Sequence, residues 1–144
     1  MIYCDTSFLT PLILQEATSD AVAAYISRLP AGDLAISQWV RLEFASLVSR
    51  EVRMGGLTEP EAQAASREFS HLVSDSYRVI TPLVADYDVA KGFIENFATG
   101  LRAGDALHLA IARNHGAQAF YTLDRGLLKA AKLVKLPASH GIKV

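Results

Sequence analysis

A single cysteine, Cys4, stands in the 144-residue chain, so no intrachain disulfide can form and a disulfide-stapled framework is excluded. Long apolar runs are missing as well. The apolar start is interrupted by Asp5 and Pro11, and no stretch approaches the roughly 20 apolar residues needed to span a bilayer. Met1-Ile2-Tyr3-Cys4-Asp5 also lacks the basic start of a secretory leader. The expectation is a soluble, cytoplasmic protein. Excess charge is absent too: 14 Lys+Arg against 15 Asp+Glu leave a net charge of −1. That argues against holding nucleic acid through bulk positive charge alone. The histidines, His71, His108, His115 and His140, show no zinc-ligand spacing. No glycine-rich phosphate loop, Cys–His pair or Gly-x-Ser-x-Gly elbow occurs either.

What is present is a globular composition, 51% hydrophobic and 20% charged, in a length suited to one domain over residues 1–144. Charge is unevenly placed. After Asp124 there is no acidic residue, while Arg125, Lys129, Lys132, Lys135 and Lys143 are all positive. This is either a solvated basic face or a phosphate-attracting rim.

The apolar patterning predicts a strand over Met1 to Cys4, followed by a helix that Thr6 or Ser7 can cap, with Pro11 tolerable in its first turn. A helix over about Ser19 to Arg28 is broken by Pro30-Ala31-Gly32. Leu34-Ala35-Ile36 reads as a strand, with Ser37 capping a helix from about Gln38 to Arg53 that stops at Gly55-Gly56. Thr58 and Glu61 form a capping-box pattern for a helix to about Val73. Arg78 to Thr81 reads as a third strand, followed by a helix over roughly 84–98 with Gly100 past its end. Asp105 to His115 is helical and stopped by Gly116; Ala119 to Thr122 is a fourth strand, and Leu127 to Leu133 a short helix. A weakly signalled fifth strand lies near Val134 to Leu136. Short apolar strands alternating with helices predict one α/β domain, a parallel sheet of four to five strands with helices on both faces.

In such sheets the site lies beyond the carboxyl ends of the strands, where Asp5 and Asp124 fall. Taken singly, each is also ordinary cap or turn chemistry. Glu43 shares a helix face with Trp39, Val40 and Leu47. A carboxylate there needs a partner, unless it reaches solvent at the helix edge. Arg50 lies two turns away, about 10 Å along the axis and far for a direct pair. Asp105 continues its face as Leu109 and Ala112, and an ion pair with Arg102 or the helix N-terminus is the structural alternative. Two carboxylates about 5 Å apart repel by roughly 3 kcal/mol at an effective dielectric near 20. Convergence of several therefore calls for protonation or a cation, and all-oxygen donors suit Mg2+ or Mn2+.

Asp5-Thr6-Ser7 after the first strand, Glu43 within Arg41-Leu42-Glu43-Phe44, Arg102-Ala103-Gly104-Asp105-Ala106 and Tyr121-Thr122-Leu123-Asp124 occur in one order along the chain. In these motifs, over essentially its whole length, the sequence resembles the PIN-domain nucleases, especially the VapC-like toxins of toxin–antitoxin pairs. The resemblance implies Mg2+-dependent endonucleolytic cleavage of RNA at a pocket on the sheet's C-terminal edge. Asp5, Glu43, Asp105 and Asp124 would be its four acids, with Asp5 and Asp105 the direct metal ligands. Thr6, Ser7 and Thr122 would be supporting hydroxyls. It further implies a homodimer and an antitoxin whose tail enters the groove, which a helical arm around Gly55-Gly56 would help to build. Arg102, Arg125 and Lys129 are candidate contacts to RNA phosphates. A catalytically inactive PIN-like RNA-binding or scaffold protein is the main rival. An aspartyl phosphotransferase would want Asp where Ser7 stands, and an Asp-x-Ser-x-Ser adhesion site fails at Leu9.

Overall fold

Ile2–Cys4 forms β1, the middle of a parallel sheet ordered β3-β2-β1-β4-β5. The other strands are β2 (Leu34–Ser37), β3 (Arg78–Ile80), β4 (Ala119–Tyr121) and β5 (Ala138–Ser139). The computed structural model describes residues 1–30 and 32–143. In register, Tyr3 pairs with Ala35 on one side and Phe120 on the other. Strands this short and this apolar are the signature of a parallel sheet covered by helices.

The helices are α1 (Thr6–Leu9), α2 (Ser19–Ile26), α3 (Gln38–Arg53), α4 (Glu59–Ser76), α5 (Val84–Glu95), α6 (Ala103–Asn114) and α7 (Arg125–Leu133). Two of the sequence-predicted caps form as expected. Ser37 Oγ accepts the Val40 N–H, and Thr58 and Glu61 make a reciprocal capping box. The α3–α4 hairpin is pinned by Phe44 stacked on Phe69, ring centroids 4.0 Å apart. Between these helices, Gly55 takes a left-handed φ of 79°. Helix α6 is the most enclosed, with every residue from Ala106 to Ala112 buried.

Several boundaries differ from expectation, each for a local reason. The first helix is capped by Asp5 rather than Thr6 or Ser7, because Asp5 Oδ1 accepts the Phe8 N–H at 2.9 Å. Pro11 does not sit in its first turn; it lies in a separate 3-10 turn, Thr10–Leu12, where its missing N–H costs nothing. Of the Pro30-Ala31-Gly32 break, Ala31 lies outside the described residues. Helix α4 runs three residues past Val73, to Ser76. The stretch after α5 tightens into a 3-10 turn, Phe97–Thr99, closed by Gly100 at φ 63°. Helix α6 begins at Ala103, so Asp105 sits in its first turn rather than opening it. The fifth strand is Ala138–Ser139 instead of Val134 to Leu136. Those earlier residues form the turn that ends α7, with Lys135 at φ 59° and the Leu136 N–H bonded to Ala131 O.

Candidate active site

The ends of β1 and β4 and the facing helices α3 and α6 enclose a cleft of about 490 Å3. Asp5, Glu43, Asp105 and Asp124 all line it, joined by His108 and by Arg50. Each acid arrives by a different route. Asp5 follows β1 and caps α1; Asp124 follows β4 and caps α7 by accepting the Leu127 N–H at 2.8 Å. Glu43 projects from the second turn of α3, and Asp105 from the first turn of α6. Capping and site membership are therefore joint properties of Asp5 and Asp124.

The hydroxyls knit these ends together. Ser7 Oγ donates to Asp5 Oδ1 at 2.8 Å, lies 3.2 Å from Thr122 Oγ1 and accepts the Leu123 N–H at 2.9 Å. Thr122 Oγ1 accepts the Asp124 N–H at 3.0 Å. Thr6 Oγ1 donates to Glu43 Oε2 at 2.5 Å. Glu43 is thus half-buried and partnered, with one oxygen held by side chains of other elements. Asp105 and Arg102 form no ion pair among the described residues, while the other half of the structural alternative, a place for Asp105 in the first turn of its helix, is met. Arg102 is exposed at the N-cap of α6.

Asp5, Asp105 and Glu43 do not hold protons alike. Burial pushes the Asp5 carboxyl above its ordinary range, against the pull of His108, Thr122, the Phe8 N–H and Ser7. Asp105 is raised by burial and then by the charge of Asp124. Burial would raise Glu43 also, but the hydrogen bond and charge of His108, with Thr6, bring it below the ordinary range. Crowded, desolvated carboxylates of this kind, offering only hard oxygen donors, fit a divalent cation by donor chemistry. Among the described residues no three of the acidic, histidine or cysteine side chains already stand as a metal-ligand group.

From residue 2 to residue 133 the sequence matches the PIN domain family. The chain belongs to it. Solved structures similar to this PIN domain include VapC20 of Mycobacterium tuberculosis, described as a sarcin-ricin loop cleaving toxin. It is 22% identical, with a TM-score of 0.65 over 88% of this chain and 92% of that one. FitAcB from Neisseria gonorrhoeae is 18% identical, with a TM-score of 0.70 and 98% of each chain covered. VapBC-1 from nontypeable Haemophilus influenzae is 15% identical, with a TM-score of 0.71 and 98% of each covered. At these identities the likeness is one of fold. No curated protein matches the sequence.

Other residues of this PIN domain join the site unannounced by sequence. His108 Nε2 lies 2.6 Å from Glu43 Oε2, and behind it Tyr3 Oη lies 3.0 Å from His108 Nδ1 and 2.8 Å from Ser37 Oγ. His108 serves the site as a partner of Glu43. Its place three residues after Asp105, on the same helical face, is the signal that would have found it. Gly104 matters by what it lacks: a Cβ there would stand 3.0 Å from Glu43 Oε1 and 3.2 Å from the Trp39 ring. Arg102, Arg125 and Lys129 are exposed and do not line the cleft; Arg50 is the cation that does.

Proposed function

We propose that this PIN domain is a Mg2+-dependent endoribonuclease, the toxin of a cytoplasmic toxin–antitoxin pair, with Mn2+ able to replace Mg2+. The observation that carries the reading is the convergence of four acids from four separate elements on one cleft. Asp5 and Asp105 would hold the ion, with Asp124 and Glu43 beside them. When bound, such an ion lowers the pKa of water and neutralises charge gathering on the phosphate.

The chain's own residues supply the remainder. Ser7 and Thr122 fix the Asp5 and Asp124 ends of the two strands relative to one another. Glu43 has its Oε2 taken by Thr6 and His108, which leaves Oε1 to help hold the ion, and Asp124 would orient the attacking water and accept its proton. In-line attack would form a new P–O bond to the water oxygen as the P–O bond on the far side of the phosphorus breaks, and the leaving oxygen would take up a proton from solvent. Arg50 within the cleft, and Arg102, Arg125 and Lys129 outside it, would meet backbone phosphates.

A likeness of fold to VapC20 and VapBC-1 supports RNA as substrate and an antitoxin as partner. A stripe of exposed apolar residues on α5 supports a homodimer. The decisive experiment incubates pure protein with total cellular RNA in Mg2+ or in EDTA, beside Asp5→Asn. Discrete fragments requiring both Mg2+ and Asp5 are expected. Absence of cleavage by folded, metal-binding protein across several RNAs would instead favour an inactive RNA-binding or scaffold protein.

A further inference from the structure

Glu43 is gripped at one oxygen by two donors from different elements. Thr6 comes from the start of α1 and His108 from the second turn of α6, and both meet Oε2. Behind His108 the contacts continue inward. Its Nδ1 meets the Tyr3 hydroxyl, which meets Ser37 Oγ, and that oxygen already accepts the Val40 N–H. Tyr3 and Ser37 are wholly buried and His108 nearly so.

Burial makes the proton count matter, because an unpaired donor or acceptor inside a protein costs about 1–3 kcal/mol. The chain closes in one direction with a neutral imidazole. Val40 N–H donates to Ser37, Ser37 donates to Tyr3, Tyr3 donates to His108 Nδ1, and His108 Nε2–H donates to Glu43. Every hydroxyl then both gives and receives one hydrogen bond. Tyr3 also stacks on Phe120, centroids 5.5 Å apart, and meets the His108 ring edge-on at 5.9 Å, so neither ring is free to turn without repacking.

We infer that His108 is a positioning residue for Glu43, locked as the Nε2–H tautomer by Tyr3 and Ser37, and that it presents Glu43 to the metal through Oε1. The inference rests on the metal-dependent reading of the cleft, and assigns to a residue outside the four acids the orientation of one of them. It also explains why Gly104 stands where it does. With Oε2 held back, Oε1 comes close to the α6 backbone, where a Cβ would meet it at 3.0 Å.

The test uses the whole chain and Mn2+ alone as probe. In His108→Gln, the amide N–H can replace the Nε2 donor; in His108→Leu nothing can. Calorimetric titration should show Mn2+ affinity falling about 10- to 100-fold in His108→Leu and recovering to within a few-fold in His108→Gln. In a Glu43→Gln background the Leu substitution should add no further loss. Nitrogen chemical shifts of His108 in the metal-free protein should report the Nε2–H tautomer, with tautomer mixing in Tyr3→Phe. A folded His108→Leu protein that binds Mn2+ as tightly as wild type would overturn the inference. So would an undiminished loss in the Glu43→Gln background, or a native Nδ1–H tautomer. The tautomer readout needs neither metal nor RNA. Failure of the wild type to cut RNA, with these Mn2+ and tautomer results intact, would sink the nuclease reading and leave the role of His108 standing.

Discussion

Asp105 holds its proton more tightly than an ordinary aspartate, and after burial the largest cause is the charge of Asp124 across the cleft. The fold thus keeps two carboxylates opposed across the cleft, at a cost that the capping bond of Asp124 to the Leu127 N–H does not remove from Asp105. Such opposition is the electrostatic pattern on which the proposed metal site rests.

The first prediction follows from that opposition. An acid whose folded pKa is raised binds more protons in the native than in the unfolded state, so native stability falls as pH rises between the unfolded and folded values. At neutral pH the penalty is complete. Asp105→Asn removes it and should be more stable than wild type in EDTA by less than about 1 kcal/mol, since solvent reaching the half-buried carboxylate screens the repulsion; Tm should rise by roughly 1–3 °C. The gain should shrink as pH falls through the folded value and vanish below the unfolded one, where both proteins are uncharged at this position. Saturating Mg2+ should reverse the order, because only wild type binds the ion well. Thermal unfolding at two pH values, with and without Mg2+, measures all of this. An Asp105→Asn protein no more stable than wild type in EDTA would refute the electrostatic account.

A second prediction concerns Asp86, which is buried outside the cleft. Its Oδ2 accepts the Leu83 N–H at 2.8 Å and meets His115 Nε2 at 3.3 Å, while Oδ1 accepts the Asn114 amide at 2.8 Å. These contacts tie the start of α5 to the end of α6. Burial would raise the Asp86 carboxyl, but the Leu83 N–H, Asn114 and His115 together bring it below its ordinary range. The sign is opposite to that of Asp105: the stabilisation is present above the unfolded pKa and is lost as pH falls through the lower folded value. Asp86→Ala should cost about 2 kcal/mol at pH 7 by denaturant unfolding, with the difference narrowing toward pH 3. A difference independent of pH would mean that packing, not the ionised carboxylate, carries the effect.

How far the sequence goes is visible in these same residues. Asp5, Asp124 and the α/β alternation were legible because strand ends and caps are local features, written within a few neighbouring residues. Glu43 and Asp105 were legible as carboxylates on apolar faces, which burial makes conspicuous. His108, Tyr3 and Ser37 were not, since their alignment depends on three elements meeting through the sheet, and each alone reads as ordinary core or cap. The misplaced fifth strand has the same origin. Val134 to Leu136 is apolar enough for a strand, but the left-handed turn at Lys135 hands pairing to Ala138–Ser139. Asp86 escaped notice because a buried aspartate near a helix start looks like any first-turn acid until its partners on α6 are seen.

The last prediction tests the dimer. Val84, Tyr87, Lys91 and Ile94 recur at helical spacing along one face of α5, and Phe97 follows beyond its end. Val84 is 79% exposed and Phe97 88%, large values for apolar side chains on a continuous stripe. Next to them, Trp39, Tyr87, Ala90, Ile94 and Leu107 line an apolar hollow of about 440 Å3. Water against such a surface is unfavourable by about 25 cal/mol per Å2, which a second copy would relieve. Wild-type protein should therefore sediment as a dimer, and Val84→Asp with Phe97→Asp should sediment as a monomer at the same concentration. Because both side chains are exposed in the single chain, the double variant should lose little stability of its own at dilutions where wild type has already dissociated. A wild type that is monomeric at every concentration, or a charged variant that still dimerises, would show that this stripe is not the dimer contact.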